Sequence, residues 1–100
     1  MKHSIIQYTV KEGRANENEG LIRDMFAQLQ VEKPTGIEYV VYKTGDSSFM
    51  HMIAFDSDDA NNQFTEMPAF NAFRAALKER IETPPERTDV SQVGNYKRGE

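Results

Sequence analysis

The segment IEYVVYKTGDSSFMHMIAF, residues 37–55, constrains the fold more than any other stretch of this chain. Thr44-Gly45-Asp46 reads as a tight turn between two strands, Ile37 to Lys43 and Ser47 to Phe55. Successive side chains of a strand point to opposite faces. Phe49, His51, Ile53 and Phe55 therefore share one face of the later strand, and Met50, Met52 and Ala54 share the other. The earlier strand likewise sets Ile37, Tyr39 and Val41 against Val40 and Tyr42. An antiparallel sheet with one wet face alternates apolar and polar residues. This hairpin is apolar on both sides.

The flanking segments supply the rest of a sheet and its cover. His3 to Val10 carries Ile5, Ile6, Tyr8 and Val10 and reads as a strand, which Gly13 ends. Asn16 or Asn18 can cap a following helix, and Leu21, Ile22, Met25, Phe26 and Leu29 form one helical stripe reaching about Val31. Pro34-Thr35-Gly36 stops it. After the hairpin, Asp56-Ser57-Asp58-Asp59 offers capping oxygens and negative charge for a short helix through Phe64. Pro68 suits the first turn of a further helix lined by Phe70, Phe73, Leu77 and Ile81, which Pro84-Pro85 ends. A last strand is expected from Thr88 to Tyr96, and Lys97 to Glu100 is a polar tail. The order is β-α-β-β-α-β. With right-handed crossovers it gives a ferredoxin-like α+β domain over residues 1–100, both helices lying on one face of a four-stranded antiparallel sheet.

Helices on one face leave the other uncovered. That face would expose five or six large side chains, worth roughly 1.5–3 kcal/mol each on burial. An apolar patch of this size marks an interface or a ligand groove. Two-fold pairing is the commonest oligomer, so the expected partner is a second copy, sheet against sheet. A small-molecule pocket then belongs between the sheet and its helices or at the barrel mouth.

Composition removes several function classes. The chain has no cysteine, which excludes disulfides, thiolate metal sites and a thiol nucleophile. Its net charge of −4 argues against a phosphate backbone as partner. No run approaches the roughly 18 apolar residues of a membrane span, and Met1-Lys2-His3 leads straight into a strand, so the expected location is cytoplasmic with no membrane partner. An RNA-recognition module shares the element order, but Ser47-Ser48-Phe49-Met50-His51-Met52 lacks the basic residue and glycine of its aromatic strand, and no nucleic acid is expected.

Phe55-Asp56-Ser57-Asp58-Asp59-Ala60, followed by Met67-Pro68-Ala69-Phe70-Asn71-Ala72-Phe73, resembles the antibiotic biosynthesis monooxygenase family of the dimeric α+β barrel superfamily. The resemblance runs from Ile5 to Tyr96. It implies a homodimer of ferredoxin-like subunits. Some members oxygenate phenolic or quinol-like compounds with molecular oxygen and no metal or flavin; others degrade haem. In the oxygenating members a tryptophan ends the third strand, with a polar amide four residues earlier. Those positions correspond here to Phe55 and His51, in a chain that has no tryptophan. In the haem-degrading members a histidine on the second helix binds iron; here Pro68-Ala69-Phe70 occupies that region, and no cofactor is expected.

His51 is the one ionisable side chain inside the apolar run. Imidazole titrates near neutrality, and removing a proton from a phenol or enol makes it electron-rich enough to meet oxygen unaided. His51 is therefore the candidate catalytic base; the competing reading is a core histidine satisfied by its neighbours. Phe55, Tyr8, Tyr39, Phe64 and Phe73 are the candidate substrate-binding residues, and each is equally a plain core residue by its spacing. Asp56, Asp58 and Asp59 lack the glycine and distal glutamate of a calcium loop, so no metal site is expected and helix capping explains them. Arg74 reads as part of a solvated helix face. Two functions stay open: a small-molecule-binding homodimer that oxygenates hydroxylated aromatics or quinols without a cofactor, and a non-catalytic metabolite-binding or regulatory module.

Overall fold

The computed structural model describes residues 2–99. The elements are β1 (Lys2–Thr9), α1 (Ala15–Glu32), β2 (Ile37–Lys43), β3 (Ser48–Phe55), α2 (Asp58–Thr65), α3 (Pro68–Ala75), α4 (Leu77–Arg80) and β4 (Glu86–Val90). The strands form one sheet in the order β2-β3-β1-β4, every neighbouring pair antiparallel. That is the ferredoxin-like fold of split βαβ units. Tyr8, Ile22, Met25, Phe49, Phe64 and Phe73 bury together between the sheet and the helices.

The hairpin divides its side chains as the alternation demands. Phe49, His51, Ile53 and Phe55 pack under the helices with Tyr39 and Val41, while Val40, Tyr42 and Met52 on the outer face are 38%, 52% and 36% exposed. Among the described residues nothing covers that face fully. The turn takes in Thr44 to Ser47, one residue longer than expected, closed by the Thr44 N–H donating to Ser48 O at 2.9 Å. At the other end of the hairpin Gly36 sits at φ +80°, and its carbonyl accepts from the Asp56 N–H at 3.0 Å. Gly36 is needed for this backbone angle, and a side chain there would also push aside the exposed Asp56 carboxylate.

Three local expectations are corrected. The cap position before α1 is Arg14, with no side-chain cap bond, and Asn18 lies inside the helix, fully buried. The helix expected to run from Pro68 to Ile81 breaks at Ala76 into α3 and α4, and Ile81 is extended, bridging Val10. Arg80 spans that break by donating Nη2 to the Phe73 carbonyl at 2.9 Å, which supplies one of the partners a helix C-terminus lacks. The last strand is Glu86–Val90 rather than Thr88 to Tyr96. In the observed register His3 faces Val90, so Lys2 at the start of β1 faces position 91 and later residues have no strand beside them. Val93 and Tyr96 are accordingly exposed.

Local chemistry explains the short helices that roof the sheet. Ser57 caps α2, its Oγ accepting from the Ala60 N–H at 3.1 Å, while Asp58 and Asp59 lie in the positive first turn. Pro68 opens α3, and the Ala69 N–H there donates to Gln28 Oε1 of α1 at 2.9 Å. That bond ties α3 to α1.

Candidate functional site

A cavity of about 300 Å³ lies between the sheet and the roof helices α2 and α3. Tyr8, Tyr39, His51, Phe55, Phe64 and Phe73, the six candidate site residues, all line it. The rest of its lining is mixed: Ile6, Ile53, Phe70 and Leu77 are apolar, and Lys2, Arg74 and Arg87 stand among the polar groups, Arg87 paired with Asp89 at 3.3 Å. Arg74 is exposed, as expected of a solvated helix residue, and its guanidinium lies 5.2 Å from the Phe70 ring centre at the cavity edge. A wider polar groove of about 570 Å³, lined by Gln7, Thr9, Thr44 and Ser48, gathers hydroxyls but no comparable cluster of buried ionisable groups.

Strand register brings the polar groups together. His51 pairs across the sheet with Ile6 of β1 and Val41 of β2, so Tyr8 and Tyr39, each two positions along, are its diagonal neighbours on the same face. The Tyr8 hydroxyl lies 2.7 Å from His51 Nε2, and the Tyr39 hydroxyl lies 2.7 Å from Nδ1. This answers how a greasy strand tolerates a histidine that is only 5% exposed: both ring nitrogens are satisfied. Phe73 of α3 packs on the imidazole at 5.5 Å, Tyr39 stacks on Phe26 at 4.9 Å, and Phe64 meets Tyr39 edge-on at 5.3 Å.

The network continues away from the cavity. Asn18 Nδ2 donates to the Tyr8 hydroxyl at 2.9 Å, and Arg80 Nε donates to Asn18 Oδ1 at 3.1 Å. Asn18 and Arg80 are both fully buried. Arg80 Nη1 has no hydrogen-bond partner among the described residues, and the guanidinium lies 5.1 Å from the Phe73 ring centre. Neither residue was singled out from the sequence as part of a site. The signal was nonetheless present: Asn18 precedes Ile22 by four and Met25 by seven, and Arg80 follows Leu77 by three and Phe73 by seven, so each sits on its helix's apolar stripe.

Burial sets the charge state of these groups. Desolvation lowers the His51 pKa to about 4, so the ring is neutral at pH 7. Desolvation also raises Tyr8 to about 12, although the Asn18 bond and the Arg80 charge pull it back. Tyr39 is pushed well above the ordinary phenol range by burial and then by its proximity to Tyr8. The triad is three neutral groups, a poor receiver of a proton and a good binder of an oxygen atom.

The cavity belongs to a fold seen before. A protein of Nitrosomonas europaea, described provisionally as an antibiotic biosynthesis monooxygenase, superposes with a TM-score of 0.78 at 13% identity, over 94% of this chain and 100% of that one. A Caulobacter crescentus structure described in the same way gives 0.74 at 20% identity, over 93% and 90%. One from Bacteroides thetaiotaomicron gives 0.80 at 8%, over 99% and 95%. The chain resembles these proteins in fold. No protein-family model and no curated protein matches it. Identities this low establish the architecture, and the chemistry has to be argued from this chain's own residues. No helix among the described residues is long and apolar enough to cross a membrane.

Proposed function

We propose that this protein is a small-molecule-binding homodimer whose helix-side cavity takes a flat, largely apolar ligand, and that it oxygenates a hydroxylated aromatic or quinol-like compound without a cofactor. The observation that supports this reading is the meeting of six candidate residues around one cavity, with the hydrogen-bonded cluster Tyr8–His51–Tyr39 on its sheet side. A site of this size, apolar with a few convergent polar groups, suits a small aromatic ligand.

The chemistry follows from the charges. Lys2 and Arg74 favour a ligand whose acidic hydroxyl is ionised, whereas the Arg87 charge is offset by Asp89. A phenolate or enolate held this way is electron-rich enough to transfer an electron to oxygen. A ring methylene beside it can take up one O2 and become a carbonyl with loss of one water, so no external reductant is required. His51 is the hub of this arrangement but acts through Tyr39, because both of its nitrogens are already bonded and the ring is held neutral. The simple picture of His51 itself lifting the substrate proton does not fit that geometry.

The outer sheet face supplies the dimer. Val40, Tyr42 and Met52 form an exposed apolar strip on β2 and β3, and sheet-to-sheet pairing of two copies would bury it.

The test is oxygen uptake with an anthrone, whose ring methylene becomes the carbonyl, as substrate. The native chain should consume one O2 per substrate, and Tyr39→Phe and His51→Ala should each lose at least about tenfold in kcat/KM, the cost of an unmade bond to a buried group. Tight binding with no oxygen uptake would leave a binding module and remove the oxygenase assignment.

A further inference from the structure

The hydrogen bonds through the core have a direction that is set from the end far from the cavity. A guanidinium can only donate, so Arg80 fixes Asn18 with its carbonyl toward Nε and its NH2 toward Tyr8. The Tyr8 oxygen therefore accepts from Asn18, and its buried O–H has one acceptor within reach, His51 Nε2 at 2.7 Å. A neutral imidazole that accepts at Nε2 carries its proton on Nδ1 and donates it to the Tyr39 oxygen. Tyr39 Oη has no other partner among the described residues, so its own proton remains free to donate into the cavity it lines. Running the chain the other way would leave the Tyr8 O–H pressed against the Asn18 NH2 with no acceptor, and an orphaned buried donor is costly.

We propose that Asn18 and Arg80 are positioning residues that set this direction, making Tyr39 a hydrogen-bond donor into the cavity and selecting ligands that present an acceptor oxygen there, a ring carbonyl or a phenolate. The inference rests on the reading of this cavity as the ligand site, and it adds which form of the ligand is held. The donor is aimed where a phenolate or enolate carries its charge, so it stabilises the ionised ligand without any protein group changing its own protonation. The remote residues touch no ligand; they act by excluding the opposite wiring.

Two measurements on this chain separate the wiring from the ligand reading. In the 15N NMR spectrum of the unliganded chain, His51 should be protonated at Nδ1. In Asn18→Asp the new carboxylate would still accept from Arg80 but would also accept from Tyr8, so the proton should move to Nε2. The second measurement compares fluorenone, which can only accept, with carbazole, a molecule of nearly the same shape that can only donate. The native chain should bind fluorenone roughly tenfold tighter, the scale of one hydrogen bond to a buried donor. Tyr39→Phe should bring the two close to parity, and Asn18→Asp should reverse the preference. A native His51 protonated at Nε2 overturns the relay whether or not any variant folds. A Nδ1 proton with equal or reversed ligand preference overturns the acceptor-selecting role, and binding of neither compound overturns the cavity reading itself.

Discussion

At the scale of single residues, His51 carries the most testable chemistry. It titrates near 4 in the folded chain against about 6.5 when unfolded, because burial between Tyr8, Tyr39 and Phe73 penalises the charged ring. Below pH 6.5 the unfolded chain binds a proton that the folded chain refuses, so this contribution is complete above pH 6.5 and is lost as pH falls to about 4. Urea unfolding at a series of pH values should show native stability falling through that window by about 3 kcal/mol more than His51→Gln does. Equal slopes for the two chains would mean that the ring is not held neutral. The aromatic residues and the histidine that line the cavity were legible in the sequence because strand alternation and aromatic content marked them, whereas polar lining residues such as Lys2, Asn61 and Arg87 carried no such mark. Asn18 and Arg80 were not, because a polar residue at a helix start reads as a cap, and Arg80, in the charged run after Leu77, reads as surface. Their spacing to apolar neighbours hinted at burial, but their bond to each other joins residues 62 apart, a pairing no local pattern encodes.

At the scale of elements, the roof depends on small local devices. Ser57 is the cap that starts α2, and α2 carries Phe64 over Tyr39 and Phe55. Ser57→Ala should cost about 1 kcal/mol, seen as a fall of roughly 4–8 °C in Tm for a domain of this size. Gly36→Ala should cost about 1–3 kcal/mol, since it meets both a positive φ and the Asp56 carboxylate. The strongly periodic elements, α1 and the hairpin, were recognisable from sequence to within a residue or two, because burial of one face writes itself into the spacing. The failures came where a neighbour decided the outcome. Strand β4 ends at Val90, opposite His3 of β1, and the break at Ala76 accompanies the turn of Arg80 into the core.

At the scale of the whole molecule, the sheet carries the aromatic cavity on its helix side, and its outer side is only partly covered, with Ala54 buried but Val40, Tyr42 and Met52 exposed. The outer strip of Val40, Tyr42 and Met52 is the surface on which we place the second copy. Val40→Lys combined with Met52→Lys should leave the fold intact by circular dichroism and shift sedimentation from dimer to monomer. A native chain that already sediments as a monomer at micromolar concentration would remove the dimer from the account. The cavity would survive that result, because every group that lines it comes from one chain.

The most direct measurement is chemical-shift mapping of the 15N-labelled protein titrated with fluorenone. Perturbations should concentrate on the residues around the Tyr8–His51–Tyr39 cluster and on the inner sides of α2 and α3. Shifts confined to Val40, Tyr42 and Met52 on the opposite side of the sheet, or no saturable shifts at all, would contradict it.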